Sequence, residues 1–570
     1  MAAITVKAVY TSSSIFCVDT MNQNTYTISL PSQDRRIAAK HGQKLLEALI
    51  NEGILLRADC GGKGRCGKCL IKILEAGESG VSLPSQVETD TLGKKDIQSG
   101  YRLACHTEIS GNIAVDIPEH SLLSPEVAHK GPNTLKEPLP VPKVPYKFSN
   151  DYGIAVDLGT TTIAVYLCDF SANKVTGATS MRNPQIIYGD DVMSRITAVH
   201  RKSHLLNQLQ KMAVKAIEWG ILYLCRSARL DTGRLRRMVV VGNTTMIHLF
   251  AGIDPSSIGL HPYTPRFTEE KIFRAGTIGF SFNPTTEIIT LPLISGFLGS
   301  DILAAAVASD FESSGNGSVL VDIGTNGEVM LCNGSGVSAT SCATGPAFEG
   351  AAIRHGMHGV SGAIDGAKID PKTGEASCSV IQKDPTRPKK PSGICGSGVV
   401  SLAAELYRTG IISRDGRFKP EHAADFFQTG DNGMTEYIVM KGEKTLSGRA
   451  ITFTQKDVRA IQLAKGALSA GIRLLCRESG YEQPRKILVA GAFGSYIQAE
   501  DALSIGMFTD ISPSDIVSVG NAAGAGAILA LFDESQRKKT STLTMATKVL
   551  DLAGHPDFQE TFIEMLSFPK

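Results

Sequence analysis

Between Ser318 and Leu331 the chain reads SVLVDIGTNGEVML. The apolar run Val319–Val321 predicts a buried strand ending at Asp322, and Glu328–Leu331 predicts the strand that returns after a Gly-Thr-Asn-Gly turn. Ile154–Leu167, IAVDLGTTTIAVYL, repeats the pattern V-D-(L/I)-G-T and sets Asp157, Gly159 and Thr160 against Asp322, Gly324 and Thr325. The repeat extends beyond the hairpins. An apolar helix ends at Leu224-Cys225-Arg226 and leads to the all-apolar strand before Gly242; a second ends at Leu475-Cys476-Arg477 and leads to the strand before Gly491. Buried apolar strands alternating with helices predict a duplicated α/β body with helices over a mixed sheet, and the second half carries an insertion over roughly 351–451.

The pattern changes upstream. Tyr26–Leu30 alternates as a strand, Gln43–Asn51 has helical spacing, and Leu70–Leu74 and Ile113–Ile117 read as further strands. From Glu119 to Asn150, spaced prolines and little periodic apolar structure predict an extended linker, either a passive spacer or a tether. The expected organisation is a first domain over 1–118, a linker over 119–150, a duplicated body over 151–535 with halves near 151–315 and 316–535, and a tail over 536–570.

Composition narrows the classes. A chain of 570 residues exceeds one core. A net charge of +2 without a Lys/Arg run gives no footprint for nucleic acid. The most apolar long stretch, Leu291–Ser309, carries Asp301 and several small polar residues and fails as a membrane span; no secretory signal is read at the start. The 12 cysteines are clustered at one place and scattered elsewhere, which indicates a cofactor site in a reducing cytoplasm rather than a disulfide framework.

That place is Cys60-Gly-Gly-Lys-Gly-Arg-Cys66-Gly-Lys-Cys69, with Cys105 beyond it, a C-x5-C-x2-C-x35-C spacing. Cysteine thiolates on a glycine loop suit an iron–sulfur cluster, because the loop can turn its N–H groups toward the sulfides. Tetrahedral zinc is the alternative, although structural zinc sites usually pair ligands as two short knuckles. The segment Ile4–Pro118 resembles the [2Fe–2S] ferredoxins of β-grasp fold; its five-residue first gap is closer to the adrenodoxin-type spacing than to the plant type.

The two hairpins have their own chemistry. A glycine turn between strands presents backbone N–H groups to a phosphate, and an aspartate at the strand end can hold a hydrated cation against it. Asp157–Thr162 resembles the first phosphate motif of the superfamily of actin, heat-shock chaperones and sugar kinases, Asp322–Glu328 its second, and Gly491–Ser495 its adenosine motif. The expected fold is therefore an α+β β-grasp ferredoxin domain followed by a duplicated α/β actin-like ATPase fold. The resemblance implies that Asp157 and Asp322 orient Mg²⁺ through water. It implies further that Gly159, Thr160, Thr161 and Thr162, with Gly324, Thr325, Asn326 and Gly327, hold the phosphates of ATP. Gly491, Ala492 and Gly494 would meet the adenosine, and Glu328 or Asp322 would orient an attacking water. Gly396, Ser397 and Gly398 open a predicted helix, Val399–Tyr407, and suit either a nucleotide edge or close helix packing. The small-residue helix Asn521–Ala530 reads as a close-approach element. His355 and His358 make a poor metal pair, with no carboxylate spacing to support it.

The chain as a whole resembles the reductive activators of corrinoid-dependent methyltransferases. Stretches in keeping with that family are Asn183-Pro184-Gln185, Tyr188-Gly189-Asp190-Asp191, Gly242–Met246, Pro292–Phe297, Ser341–Gly350 and His555–Phe558. The resemblance implies ATP-dependent transfer of an electron from a [2Fe–2S] cluster to a Co(II) corrinoid protein, restoring Co(I). It also implies a low-potential donor (ferredoxin, flavodoxin or reductase) and a homodimer. Two other readings compete with it. Activation of a radical dehydratase would need a cluster inside the ATPase body, and a chaperone-like or sugar-kinase ATPase with a redox-sensing ferredoxin would need no electron acceptor.

Overall fold

In the computed structural model the described residues are 25–570 except 59, 78–79, 123–150, 335, 351, 383–385, 387, 431–432 and 492–496. Cys17, nearly all of the proline-rich linker, and Ala492 and Gly494 fall outside them. The chain divides into two compact units, Met1–Glu52 with Lys63–Leu122, and Gly53–Gly62 with Leu123–Lys570.

The first unit is a five-stranded sheet of β1 (Thr25–Leu30), β2 (Arg35–Lys40), β3 (Leu70–Ala76), β4 (Tyr101–Leu103) and β5 (Ile113–Asp116), in the order β2-β1-β5-β3-β4. β1 and β5 run parallel at the centre and the other pairs antiparallel, the mixed sheet of a β-grasp. The helix Leu45–Asn51 turns Leu45, Leu46, Leu49 and Ile50 inward, and these are buried together with Ile28, Leu30, Ile71, Leu103 and Val115. Period-two strands and a period-3.6 helix thus supply complementary apolar faces.

The second unit contains two six-stranded sheets of matching design. In the first half, β6 (Tyr152–Leu158), β7 (Thr162–Asp169), β8 (Lys174–Arg182), β9 (Leu235–Val241), β10 (Lys271–Arg274) and β11 (Glu287–Thr290) lie in the order β10-β11-β9-β6-β7-β8. In the second, the central antiparallel run is β12 (Ser318–Ile323), β13 (Gly327–Asn333) and β14 (Gly336–Cys342). Lys486–Ala490 and then Ile516–Gly520 extend it in parallel on the β12 side. The long helices Leu205–Ser227 and Gln455–Glu478 precede the equivalent parallel strands β9 and Lys486–Ala490.

Two short helices exchange sheets. Ser300–Ala308, from the first half, shares a core with Leu320, Met330 and Leu488 of the second sheet. Ala522–Phe532, from the second half, shares one with Ala155, Tyr166 and Val239 of the first. Where they cross, a Cβ on Gly526 would stand 2.0 Å from the Ala304 carbonyl oxygen, so the backbones touch. The small-residue pattern of Asn521–Ala530 is explained by this crossing.

The insertion folds as two three-stranded sheets, Ala363–Ile369 with Ala376–Val380 and Gly393–Ile394, and Phe427–Thr429 with Thr435–Met440 and Ile451–Thr454. Residues 536–570, which the sequence leaves as a tail, are built into the second half. Thr547–Val549 adds a parallel strand beside β14, the helix Phe558–Leu566 packs on Gln455–Glu478, and Phe568 is fully buried.

Candidate functional site

The cysteine loop is shaped by glycines: Gly61, Gly62, Gly64 and Gly67 all have φ between +63° and +79°, a region L side chains rarely adopt. At Gly64 space is also lacking, since a Cβ would stand 2.5 Å from Val87 Cγ1 and 2.6 Å from His106 Nε2. Thr91 Oγ1 donates to the Gly64 carbonyl at 2.8 Å and ties the loop to the helix Gln86–Leu92. That helix is capped by Ser85 and anchored by Glu88, which accepts from Arg102 Nε at 2.9 Å, Arg102 Nη2 at 3.0 Å and the Leu103 N–H at 3.1 Å. Burial pushes the Glu88 carboxyl up, and the bonds from Arg102, Ser85 and Leu103 outweigh it and hold the group below its ordinary range.

Cys69 and Cys105 are buried, and the Cys69 thiol meets the Cys105 sulfur at 3.2 Å without a disulfide between them, while Cys60 and Cys66 are half-buried. Thiols facing each other without a disulfide, one of them on a loop wound by glycines, fit thiolate ligation of a cluster. Among the described residues, no group of three or more His, Cys, Asp or Glu could hold a metal ion. The cysteines of the second unit have a different character. Burial pushes Cys225 up to about 11 and Cys342 and Cys476 to about 12, values of packed thiols rather than thiolate ligands. His355 is half-buried and uncharged in tendency, lowered by desolvation and by Arg354.

In the body the two hairpin turns meet. Each strand-end aspartate has the same surroundings: Asp157 pairs with Val241 on β9, one residue before Gly242, and Asp322 pairs with Ala490, one residue before Gly491. Gly491 has φ +91°, and a Cβ on it would lie 2.7 Å from Asp322 Oδ1. In both turns the glycine N–H closes the loop, Gly159 onto the Thr162 carbonyl at 3.0 Å and Gly324 onto that of Asn326 at 3.1 Å. The tips join through Thr161 Oγ1 and Thr325 Oγ1, 3.4 Å apart.

Several of the family-like stretches buttress the first turn. Asn183 donates to the Gly159 carbonyl at 2.9 Å, Arg195 to the Thr160 carbonyl at 2.6 Å, and Asn243 to Thr160 Oγ1 at 2.8 Å. Arg195 is fully buried, also bonds Gln185, and is drawn down to about 9 by desolvation against the pull of Asp191 and Asp190. The reach of these residues to one turn is invisible in sequence, where they are widely spaced.

Two acids that sequence reasoning did not select complete the cleft. Asp301, at the start of the exchanged helix Ser300–Ala308, faces Glu328, whose Oε2 is buried without a hydrogen-bond partner. Glu349 accepts from both turn threonines, Thr161 at 2.7 Å and Thr325 at 3.1 Å. Desolvation pushes Asp301 to about 6, Asp157 to about 7 with the charge of Asp301 adding, and Asp322 to about 8 with Asp301, Asp157 and Glu349 adding. Glu328, opposite Asp322 in the hairpin, is raised well above a normal carboxyl by burial and then by Asp301 and Asp322. Asn521 opposes the trend at Asp157 and donates to Tyr166 Oη at 3.0 Å. These neighbouring carboxyls thus resist ionisation together, each raised chiefly by burial.

Gly396, Ser397 and Gly398 begin the helix Gly396–Arg408 and are buried. A Cβ on Gly398 would stand 2.3 Å from the Ile364 carbonyl oxygen, so close packing against Ala363–Ile369 accounts for this glycine. No helix among the described residues is long and apolar enough to cross a membrane.

Comparison with known proteins agrees with this arrangement. The 2Fe–2S iron–sulfur cluster binding domain model matches residues 29–110, across all of the predicted cluster cysteines. The RACo middle region model matches 152–314 and the model of the C-terminal domain of RACo, the ASKHA domain, matches 316–570. The corrinoid activation enzyme RamQ of Eubacterium limosum is 29% identical, covering 94% of this chain and 98% of that protein. The [Co(II) methylated amine-specific corrinoid protein] reductase of Methanosarcina barkeri is 28% identical over 68% of this chain and 71% of its own. The solved structure of a reductive activator for corrinoid,iron-sulfur protein superposes with a TM-score of 0.69 at 26% identity, covering 95% of this chain and 98% of that one. With a [2Fe–2S] ferredoxin domain followed by an ATP-binding ASKHA body, the chain belongs to the family of reductive activators of corrinoid proteins.

Proposed function

We propose that this protein uses ATP to drive an electron from its [2Fe–2S] cluster to the Co(II) corrinoid of a methyltransferase system, restoring Co(I). The observation that carries the reading is the pairing, in one chain, of a glycine-wound cysteine loop on a β-grasp sheet with a twofold phosphate cleft. Support comes from the end-to-end likeness to a reductive activator.

In this reading Cys60, Cys66, Cys69 and Cys105 would hold the cluster, which would supply a one-electron couple. The amides of Gly159–Thr162 and Gly324–Gly327 cradle the phosphates of ATP. Asp157 and Asp322 would hold Mg²⁺ against the phosphates, with Asp301 and Glu328 beside them. Gly491, Ala492 and Gly494 meet the adenosine. An acceptor lower than the cluster by ~100 mV makes transfer unfavourable by roughly 2.3 kcal/mol. Nucleotide binding offsets this if it favours the state of the protein that binds and reduces the acceptor. The partners are a corrinoid protein and a low-potential donor (ferredoxin, flavodoxin or reductase), the compartment is the cytoplasm, and the protein acts as a homodimer.

The test mixes the purified protein, an electron donor and a Co(II) corrinoid protein, and follows the corrinoid spectrum with and without MgATP. Co(I) should form only with MgATP, and Cys66→Ser should abolish it while leaving basal ATPase activity. Equal Co(I) without ATP removes the coupling; none with ATP removes the acceptor.

A further inference from the structure

Glu349 differs from the other acids of the cleft. It ends the short turn Pro346–Glu349, and its Oε2 accepts from the hydroxyls of Thr161 and Thr325 at 2.7 and 3.1 Å. These hydroxyls belong to the two phosphate turns, so a single carboxylate oxygen fastens one half of the body to the other. Asp157, Asp301, Asp322 and Glu328 chiefly face one another, whereas Glu349 also faces the guanidinium groups of Arg182 and Arg195. Arg182 pairs with Thr162 at the end of the first turn, and its Nε is buried without a hydrogen-bond partner. The point where both turns touch thus has two hydroxyl donors and lies in the field of Arg182 and Arg195, and the Glu349 carboxyl fills it; burial raises that carboxyl, and the hydroxyls and guanidinium charges oppose the rise.

We propose that Glu349 holds the place of the terminal phosphate of ATP and is displaced by it, which makes this residue the element that distinguishes ATP from ADP. A phosphate that bridges the two turns needs the same two hydroxyls, and two anions cannot share them without repulsion. ADP ends one phosphate short and leaves the bridge intact. Displacing Glu349 moves the turn Pro346–Glu349, whose Ala347 and Phe348 are in one core with Val399 and Ala403 of the helix Gly396–Arg408. That helix packs on Ala363–Ile369 of the insertion, so the presence of the terminal phosphate is passed to a part of the body outside the cleft. Differential binding of this kind is what a ligand needs to shift a conformational equilibrium.

The inference rests on the ATP reading of the cleft and specifies what within it discriminates nucleotides. The test is calorimetric titration of the full-length protein, Glu349→Ala and Glu349→Gln with MgADP and with the magnesium complex of a non-hydrolysable β,γ-imido ATP analogue. Glu349→Ala should tighten the triphosphate by tenfold or more and change MgADP by less than twofold. Glu349→Gln, which keeps an acceptor for both hydroxyls but lacks the charge, should shift the ratio the same way by a smaller factor and controls for folding. Equal shifts for both nucleotides, or an unchanged ratio, overturn the proposal while the ATP site stands. Loss of turnover with unchanged affinities also overturns it, in favour of a role in hydrolysis alone. If the wild-type protein binds neither nucleotide, the ATP reading falls and the sensor with it.

Discussion

Asp157 and Asp322 occupy one structural position twice. Each is the penultimate residue of an inner strand of its sheet, each pairs with the last residue of the neighbouring parallel strand, and each strand is followed by a glycine turn that closes on itself. The two turns meet at Thr161 and Thr325. Duplication therefore places two acids and two glycine turns side by side, and the exchanged helices Ser300–Ala308 and Ala522–Phe532 each pack in the core of the other half.

The acids have a cost in the absence of a cation. Asp322 is held near pH 8 in the fold and has an ordinary carboxyl in the unfolded chain. A raised folded value means the fold binds the proton more tightly, so stability is full below about pH 4 and falls as pH rises from there toward 8. Asp322→Asn is expected to stabilise the nucleotide-free protein at pH 8, on the order of a few kcal/mol at most, and to change little at pH 4. The same variant should lose ATP-dependent Co(I) formation. Thermal melts across this range check the first effect and the corrinoid spectrum the second; a destabilised variant at pH 8 contradicts the assignment.

Gly491 is fixed by the company of Asp322. Gly491→Ala puts a Cβ 2.7 Å from Asp322 Oδ1 and 3.0 Å from the Ile323 carbonyl, at φ +91°. The expected cost is about 1–3 kcal/mol in stability. Displacement of Asp322 should also weaken MgATP binding by tenfold or more, as measured by titration calorimetry.

In the ferredoxin domain the buried Glu88–Arg102 pair, at 6% and 0% side-chain exposure for Arg102 and Glu88, connects the helix over the cysteine loop to β4. Glu88→Ala leaves a buried guanidinium without its partner, which typically costs about 3–5 kcal/mol. Because the folded value of Glu88 is lowered, its contribution is present above the ordinary carboxyl range and lost as pH falls through the folded value. The variant should therefore release its cluster, followed by loss of visible absorbance, at a lower temperature than wild type at pH 7, with the difference narrowing in acid.

The C-terminal segment is a load carried by the second half, not an appendage. Phe568 is fully buried, stacks on Tyr407 at 4.9 Å and has the Lys465 amine 5.6 Å from its ring centre. Phe568→Ala is expected to lower the stability of the body by about 3–5 kcal/mol, seen in denaturant melts, with the cluster absorbance unaffected.

Much of this was legible from residue patterns because the informative features are local. The hairpins around Asp157 and Asp322, the strands before Gly242 and Gly491, and the cysteine loop all announce themselves by spacing within a short window. The features that were not legible depend on contacts across the chain. Glu349 reads as one acid in a small-residue stretch, yet it touches Thr161, 188 positions away. Asp301 drew notice only as a charge that spoils a membrane span, and it proves to face Glu328. Asn183, Arg195 and Asn243 converge on one turn from separate elements. In the segment 536–570, the strand Thr547–Val549 exists because β14 offers an edge.

The central claim is that ATP in the cleft drives an electron out of the cluster, and a single-turnover measurement tests it most directly. The protein is reduced, freed of excess reductant, and mixed rapidly with a Co(II) corrinoid protein while cluster and corrinoid absorbances are followed together. With MgATP, the cluster should be reoxidised at the rate at which Co(I) appears, to at most one Co(I) per chain, and without MgATP neither signal should change. Co(I) appearing while the cluster stays reduced, or the same rates with and without MgATP, would contradict the account.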